Sequence, residues 1–229
     1  MSGLHLFELD EVCERRFDRK RENFIVDHGL ENRPAIVWQC TPAERLLMDA
    51  VQEPIAAVLE TGASQRSGCR DGWWYGFSAG RRVSRVFDGF ASASPDNAID
   101  HHGWVTQLHR DGHLIAGLWT FPEGSEGQGY TGPLVAAFHV DAFVDFGSLS
   151  TRVFEAAEYA GAVLLTATMC LADQLRFANV HGPVSATRLR RNQLRWPVTV
   201  VSTPNGIPDE CLNMARQFMS AFGLGLPRR

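Results

Sequence analysis

The stretch from Asp96 to Trp119 reads DNAIDHHGWVTQLHRDGHLIAGLW, and how it pairs with itself decides the fold. Two apolar runs flank Asp111-Gly112, a dipeptide that favours a two-residue type I′ turn between antiparallel strands. Pairing outward from such a turn sets Arg110 opposite His113, His109 opposite Leu114, Leu108 opposite Ile115 and Trp104 opposite Trp119. Side chains alternate across a strand, so Trp104, Leu108, Ile115 and Trp119 then share one core face. His109 and His113 fall on opposite faces. This register bears on whether Asp100, His101, His102, His109 and His113 make a metal centre, because ligands must converge on one point. It spreads them apart, so no metal and no cofactor is expected.

Working outward, WWYGFSAGRRVSRVFDGF (residues 73–90) reads as a second hairpin with its turn near Ala79 to Arg81. A glycine-bearing loop from Gly124 to Gly132 leads to PLVAAFHVDAFV, which reads as a strand, and a helix follows from Ser148 to Gly161. AVLLTATMCLA, LRFANV and PVTVVS supply further strands. A last helix from about Pro208 buries Leu212, Ala215, Phe218, Met219 and Phe222 and stops at Gly223. Upstream, residues 6–20 have the spacing of an amphipathic helix whose run ERRFDRKRE forms a solvated face. A short strand at Ala35 to Trp38 comes next. Thr41, Pro42 and Glu44 then open a second helix, which Pro54 kinks or divides and Gly62 stops.

This order predicts an α+β fold: a mainly antiparallel sheet built from hairpins, amphipathic helices packed on it, and a helical N-terminal part. The change of character near Gly68 suggests a helical part over 1–68 and a sheet domain over 69–229, or one domain overall. A chain of 229 residues can bury a sizeable core in either case.

Composition narrows the class. The chain is 45% hydrophobic and 21% charged with net charge -4, which disfavours a surface built wholly for nucleic acid. Only Lys20 among 22 basic residues is lysine, a GC-rich, actinobacterial-like composition that weakens arginine clusters as evidence for phosphate binding. Five scattered cysteines without a C-x-x-C pair suit reduced thiols. No run is apolar and long enough for a membrane span, and the N-terminus lacks a signal peptide's apolar core, so a cytoplasmic protein is expected.

Several motifs bear on chemistry. Asp100-His101-His102 resembles the Asp-His-His motif of the DHH phosphoesterase superfamily, which implies metal-dependent hydrolysis. Here a polar turn precedes it, and the family's upstream D-x-D pair is missing. The layout around HHGWVTQLHRDGH also resembles the C-terminal region of proteins carrying a Schlafen-type AlbA_2 domain, with no diagnostic motif and no residue role to carry over. Gly127, Gly129 and Gly132 spell G-x-G-x-x-G, but an apolar run follows where a phosphate-binding helix should open. His139 reads as a core histidine within a strand, His181 as the end of a strand, and Asp141 and Asp145 as acids without a partner base.

The remaining candidates are contact residues. Trp73 and Trp74 point to opposite faces of one strand, leaving one free to bind. Arg188, Arg190, Arg191 and Arg195 beside Trp196 could meet an acidic protein or clamp phosphates while the indole stacks a base. The leading expectation is a non-catalytic binding or regulatory component that acts through a protein partner. The alternatives are a metal-dependent phosphoesterase or nuclease using Asp100, His101 and His102, and a nucleic-acid accessory protein using the Arg188 to Trp196 patch.

Overall fold

The computed structural model describes residues 6–44, 46, 48, 53–60, 77, 83–86, 88–94, 102–120, 134–178 and 189–224. In chain order these form α1 (Leu6–Asp27), β1 (Ala35–Pro42), α2 (Glu53–Glu60), β2 (Ser84–Val86), β3 (Gly89–Ala93), β4 (His102–His109) and β5 (Leu114–Thr120). Then come β6 (Leu134–Val135), α3 (Ala136–Ala156), β7 (Val163–Cys170), β8 (Phe177–Ala178), β9 (Gln193–Arg195), β10 (Thr199–Val201) and α4 (Ile207–Ala221). Eight strands make one antiparallel sheet in the order β10-β7-β1-β5-β4-β3-β2, with β9 also paired to β7. A parallel pair, β6 with β8, stands apart. The fold is α+β with a mainly antiparallel sheet and an N-terminal helix. Strand β1 lies between β5 and β7, so residues from both sides of position 68 share this sheet.

The central hairpin corrects the expected register by one residue. Leu108 pairs with Leu114, Trp104 with Leu118 and Gly103 with Trp119. The His109 N–H donates to the His113 carbonyl over 2.9 Å, and the Gly112 N–H returns to the His109 carbonyl over 3.0 Å. The connection is therefore a three-residue loop, Arg110-Asp111-Gly112, closed by Gly112 at φ +76°. A left-handed glycine at the third loop position is the usual solution for this length, and Asp-Gly serves it as well as it serves a type I′ turn. A slip of one residue sends every following side chain to the other face. Trp104 and Leu108 belong to the main core, whereas Ile115 belongs to a second cluster on the opposite face. His109 and His113 face each other, with ring centroids 5.8 Å apart.

Other local expectations shift for physical reasons. Thr41 and Pro42 do not open a helix. They extend β1, pairing with Leu164 and Val163, and the Ala43 N–H bonds to the Ala162 carbonyl. Proline is tolerated there because it ends the strand. The second helix starts at Glu53, which puts Pro54 in its first turn rather than at a kink. The FHVDAFV stretch is helical: α3 runs unbroken to Ala156 and buries Phe143, Phe146, Leu149 and Val153 at three- and four-residue spacing. Gly147 does not break it. A side chain there would stand 2.9 Å from the Pro208 Cα, so glycine lets α3 and α4 cross closely. The hairpin near residues 84–93 turns between Val86 and Gly89, while the expected turn at Ala79 to Arg81 lies outside the described residues.

The sheet's two faces are covered differently. Under α3 and α4 lies the large core, where Trp38 meets Phe143 edge-on at 5.0 Å and Phe143 meets Trp196 at 5.5 Å. The C-terminal helix ends as expected: Gly223 at φ +65° lets the Leu224 N–H reach the Met219 carbonyl. Under α1 the apolar cluster is small, comprising Phe24, Leu30, Val37, Val105 and Ile115. Apart from the Phe17 ring and the partly buried Ile25 and Trp119, the rest of that layer is largely polar.

Candidate functional site beneath the N-terminal helix

Strand alternation aims Gln39 and Thr41 of β1, and Thr166 and Thr168 of β7, at α1, and all four are buried. The corrected hairpin register adds Gln107, His109 and His113 to this face. Continuing the β1–β5 pairing one step beyond Cys40 and Leu114 brings Thr41 opposite His113. A polar row thus crosses the sheet under the helix.

Above the row, α1 places Arg16, Phe17, Asp18, Lys20 and Arg21. The Phe17 ring packs on His113 at 5.4 Å, and its backbone carbonyl accepts a 2.9 Å hydrogen bond from Gln39 Nε2. Lys20 bridges Asp88 at 3.5 Å and Asp111 at 3.3 Å, while Arg16 reaches Asp111 at 2.9 Å. Arg21 pairs with Asp18 at 2.9 Å and donates to Thr168 Oγ1 at 3.2 Å. His109 donates from Nδ1 to Asp88 at 3.1 Å.

The tautomer of His113 follows from these contacts. The Phe17 carbonyl can only accept, so the Gln39 group facing it is the amide nitrogen. That same nitrogen lies 3.2 Å from His113 Nε2, which must therefore be the accepting, unprotonated ring nitrogen. The remaining atoms, Gln39 Oε1, Thr41 Oγ1, His109 Nε2 and His113 Nδ1, are buried without a hydrogen-bond partner among the described residues. Unpaired buried polar atoms cost about 1–3 kcal/mol each, and four such atoms lie in this layer as against Trp38 Nε1 and Ser92 Oγ on the opposite face.

Electrostatics agree with that picture. Burial holds His113 well below the usual imidazole range, and His109 and Lys20 push in the same direction. Burial and Lys20 also lower His109, against its bond to Asp88. Burial would raise Asp111, but Lys20, the His113 N–H and Arg16 outweigh it and hold the carboxyl down to about 2.

Of the residues singled out from sequence, the described ones are dispersed. Trp73, Trp74, Asp100, His101, Gly127, Gly129, Gly132, His181 and Arg188 lie outside the described residues. His102 begins β4 opposite Thr120. Arg190 and Arg191 are exposed. Arg195 pairs with Asp18 of α1 at 3.1 Å. Trp196 is 3% exposed and donates from Nε1 to the Met214 carbonyl, so its ring packs in the core and has no face to stack a base. His139 lies on α3, buried against Phe177 at 4.8 Å. Asp145 accepts the Phe77 N–H at 2.7 Å. Among the described residues, no group of three or more His, Cys, Asp or Glu side chains could hold a metal ion, and no helix is long and apolar enough to cross a membrane.

Reading ERRFDRKRE as a solvated face missed Arg16, Asp18, Lys20 and Arg21, which bind the sheet. The signal was present in Gln39, Thr41, Thr166 and Thr168, polar residues alternating on strands whose other face is apolar. Compared with protein-family models, curated proteins and solved structures, the chain matches none of them.

Proposed function

We propose that the protein is a binding or regulatory component, without chemistry of its own, that engages a protein partner through the sheet face covered by α1. The observation that carries this reading is the asymmetry of the two layers. One face is sealed by a continuous apolar core, while the other is closed by a small apolar cluster, the Phe17 ring, exchangeable ion pairs and four unpaired polar atoms. A cover of that kind can be exchanged at modest cost. The fitting partner segment is an amphipathic helix with two aromatics seven residues apart and cations between them, the pattern of Phe17, Lys20, Arg21 and Phe24. A cytoplasmic setting is part of the proposal, supported by the free thiols of Cys40, Cys170 and Cys211.

Exchange in trans tests the reading. A fluorescent peptide of residues 6–27 should bind the full-length Phe24→Ala protein at least tenfold more tightly than the wild type, because the substitution loosens the resident helix. Anisotropy at pH 7.5 measures both affinities. Absence of peptide binding to either protein, together with α1 amides that exchange only on global unfolding, would overturn it.

A further inference from the structure

The contact between Gln39 and His113 has a polarity that a single proton can invert. We propose that His113 and Gln39 form a proton-operated latch on α1, in which protonation of His113 withdraws the hydrogen bond that Gln39 makes to the helix backbone. The proposal rests on the reading of α1 as an exchangeable cover.

The latch works by exchanging donors and acceptors. In the neutral state Gln39 Nε2 carries two hydrogens, one given to the Phe17 carbonyl at 2.9 Å and one to His113 Nε2 at 3.2 Å. A proton added at His113 Nε2 turns that acceptor into a donor, and two N–H groups then face each other. Gln39 relieves the conflict by rotating its amide, which brings Oε1, an atom with no partner among the described residues, to His113. The same rotation sets Oε1 against the Phe17 carbonyl, replacing attraction by repulsion between two acceptors. The proton is taken from solvent and no bond other than N–H is made.

The surroundings decide how strongly the charge is felt. From α1, Arg16 and Lys20 oppose a charged His113, and Phe17 covers the ring. From β4, His109 opposes it, while Asp111 in the loop favours it. Asp88, between β2 and β3, is engaged by His109 and Lys20. From β1 come only the neutral Gln39 and Thr41. His113 is fully buried, so its charge cannot be relieved by water while α1 stays in place. The release of α1 is the relief.

Hydrogen exchange on the full chain, corrected for the pH dependence of intrinsic exchange, tests the latch. Between pH 7.5 and 5.5 the protection of amides in residues 14–27 should fall at least tenfold relative to those of β7. In His113→Gln, which accepts a hydrogen bond without titrating, the fall should be at least threefold smaller than in the wild type, the remainder coming from the buried His28 and His109. Unchanged α1 protection in the wild type, or an equal fall in the variant, overturns the latch. Imidazole nitrogen shifts of the wild type at pH 7.5 give a test that does not depend on the variant folding. They should show His113 protonated at Nδ1, and an Nε2-protonated tautomer refutes the mechanism. Peptide exchange at pH 7.5 without pH-dependent loosening would sink the latch and leave the binding reading standing. Acid loosening without peptide exchange would do the reverse.

Discussion

Replacing Gly112 with alanine probes the loop on which the register of the central hairpin depends. At φ +76° an alanine pays about 1–2 kcal/mol for left-handed backbone. Its Cβ would also stand 2.8 Å from Pro42 Cγ and 3.1 Å from Cδ, and a proline ring has little room to yield, which adds about 1–2 kcal/mol of overpacking. Lower unfolded-state entropy returns about 0.5 kcal/mol. The net loss is about 1.5–3.5 kcal/mol, or about 3–14 °C in Tm for a chain of this size. Differential scanning calorimetry and urea unfolding of Gly112→Ala measure it directly. Gly112→Asn should recover part of the backbone cost but not the steric part, since asparagine tolerates the left-handed region. Pro42→Ala should recover the steric part instead, with a coupling of about 1 kcal/mol in the double-mutant cycle. A Gly112→Ala protein as stable as the wild type would refute a left-handed residue wedged on Pro42, and with it the three-residue loop.

Three further outcomes follow from the packing and the charges. His28, His109 and His113 are held neutral chiefly by burial, so the unfolded chain gains protons first as pH falls below 6.5. Stability should decline from there, with His113 alone contributing up to about 1.4 kcal/mol per pH unit, while Asp111 keeps its charge to about pH 2; a Tm constant from pH 7.5 to 5 would contradict this. Phe143→Ala removes a ring packed against Trp38, Trp196 and Phe218 and should cost about 3–5 kcal/mol by chemical denaturation; a loss below about 1 kcal/mol would mean this face is not the principal core. Burial pushes the Cys40 and Cys211 thiols upward, so iodoacetamide at pH 8 should leave both unmodified in the native protein. Peptide mass spectrometry showing alkylation faster than global unfolding would count against their burial.

Much of the architecture was readable from periodicity. The amphipathic first helix, the hairpin around Asp111-Gly112, the VLLTATMC strand and the C-terminal helix with its Gly223 stop all carry local signals strong enough to survive tertiary context. What misled was chemistry that serves two geometries. Asp-Gly closes both two- and three-residue loops, and the choice between them swaps the faces of His109 and His113. Phe138 to Val144 is a largely apolar run too short to separate a strand from a buried helix, and the helix expected from Ser148 in fact runs back through Gly147, where α4 crosses it. Pro42 looked like a helix start because nothing local indicates that β1 continues beneath it. The polar layer under α1 was the least legible part. It is assembled from residues as distant as Lys20, Gln39, His113 and Thr168, and no single window contains it.

The seat of β1 at the middle of the sheet sets an order of events during synthesis. Ala35 pairs with Trp119 on one side and with Cys170 on the other. At about 5–20 residues per second, the ribosome needs about 7–27 s after making Ala35 to deliver Cys170. Both edges of this eight-residue strand stay open until β5 is made, and the edge that β7 will cover stays open through the whole interval. Nascent chains interrupted before residue 163 should therefore be captured by chaperones or aggregate through β1, whereas chains released after α4 should not.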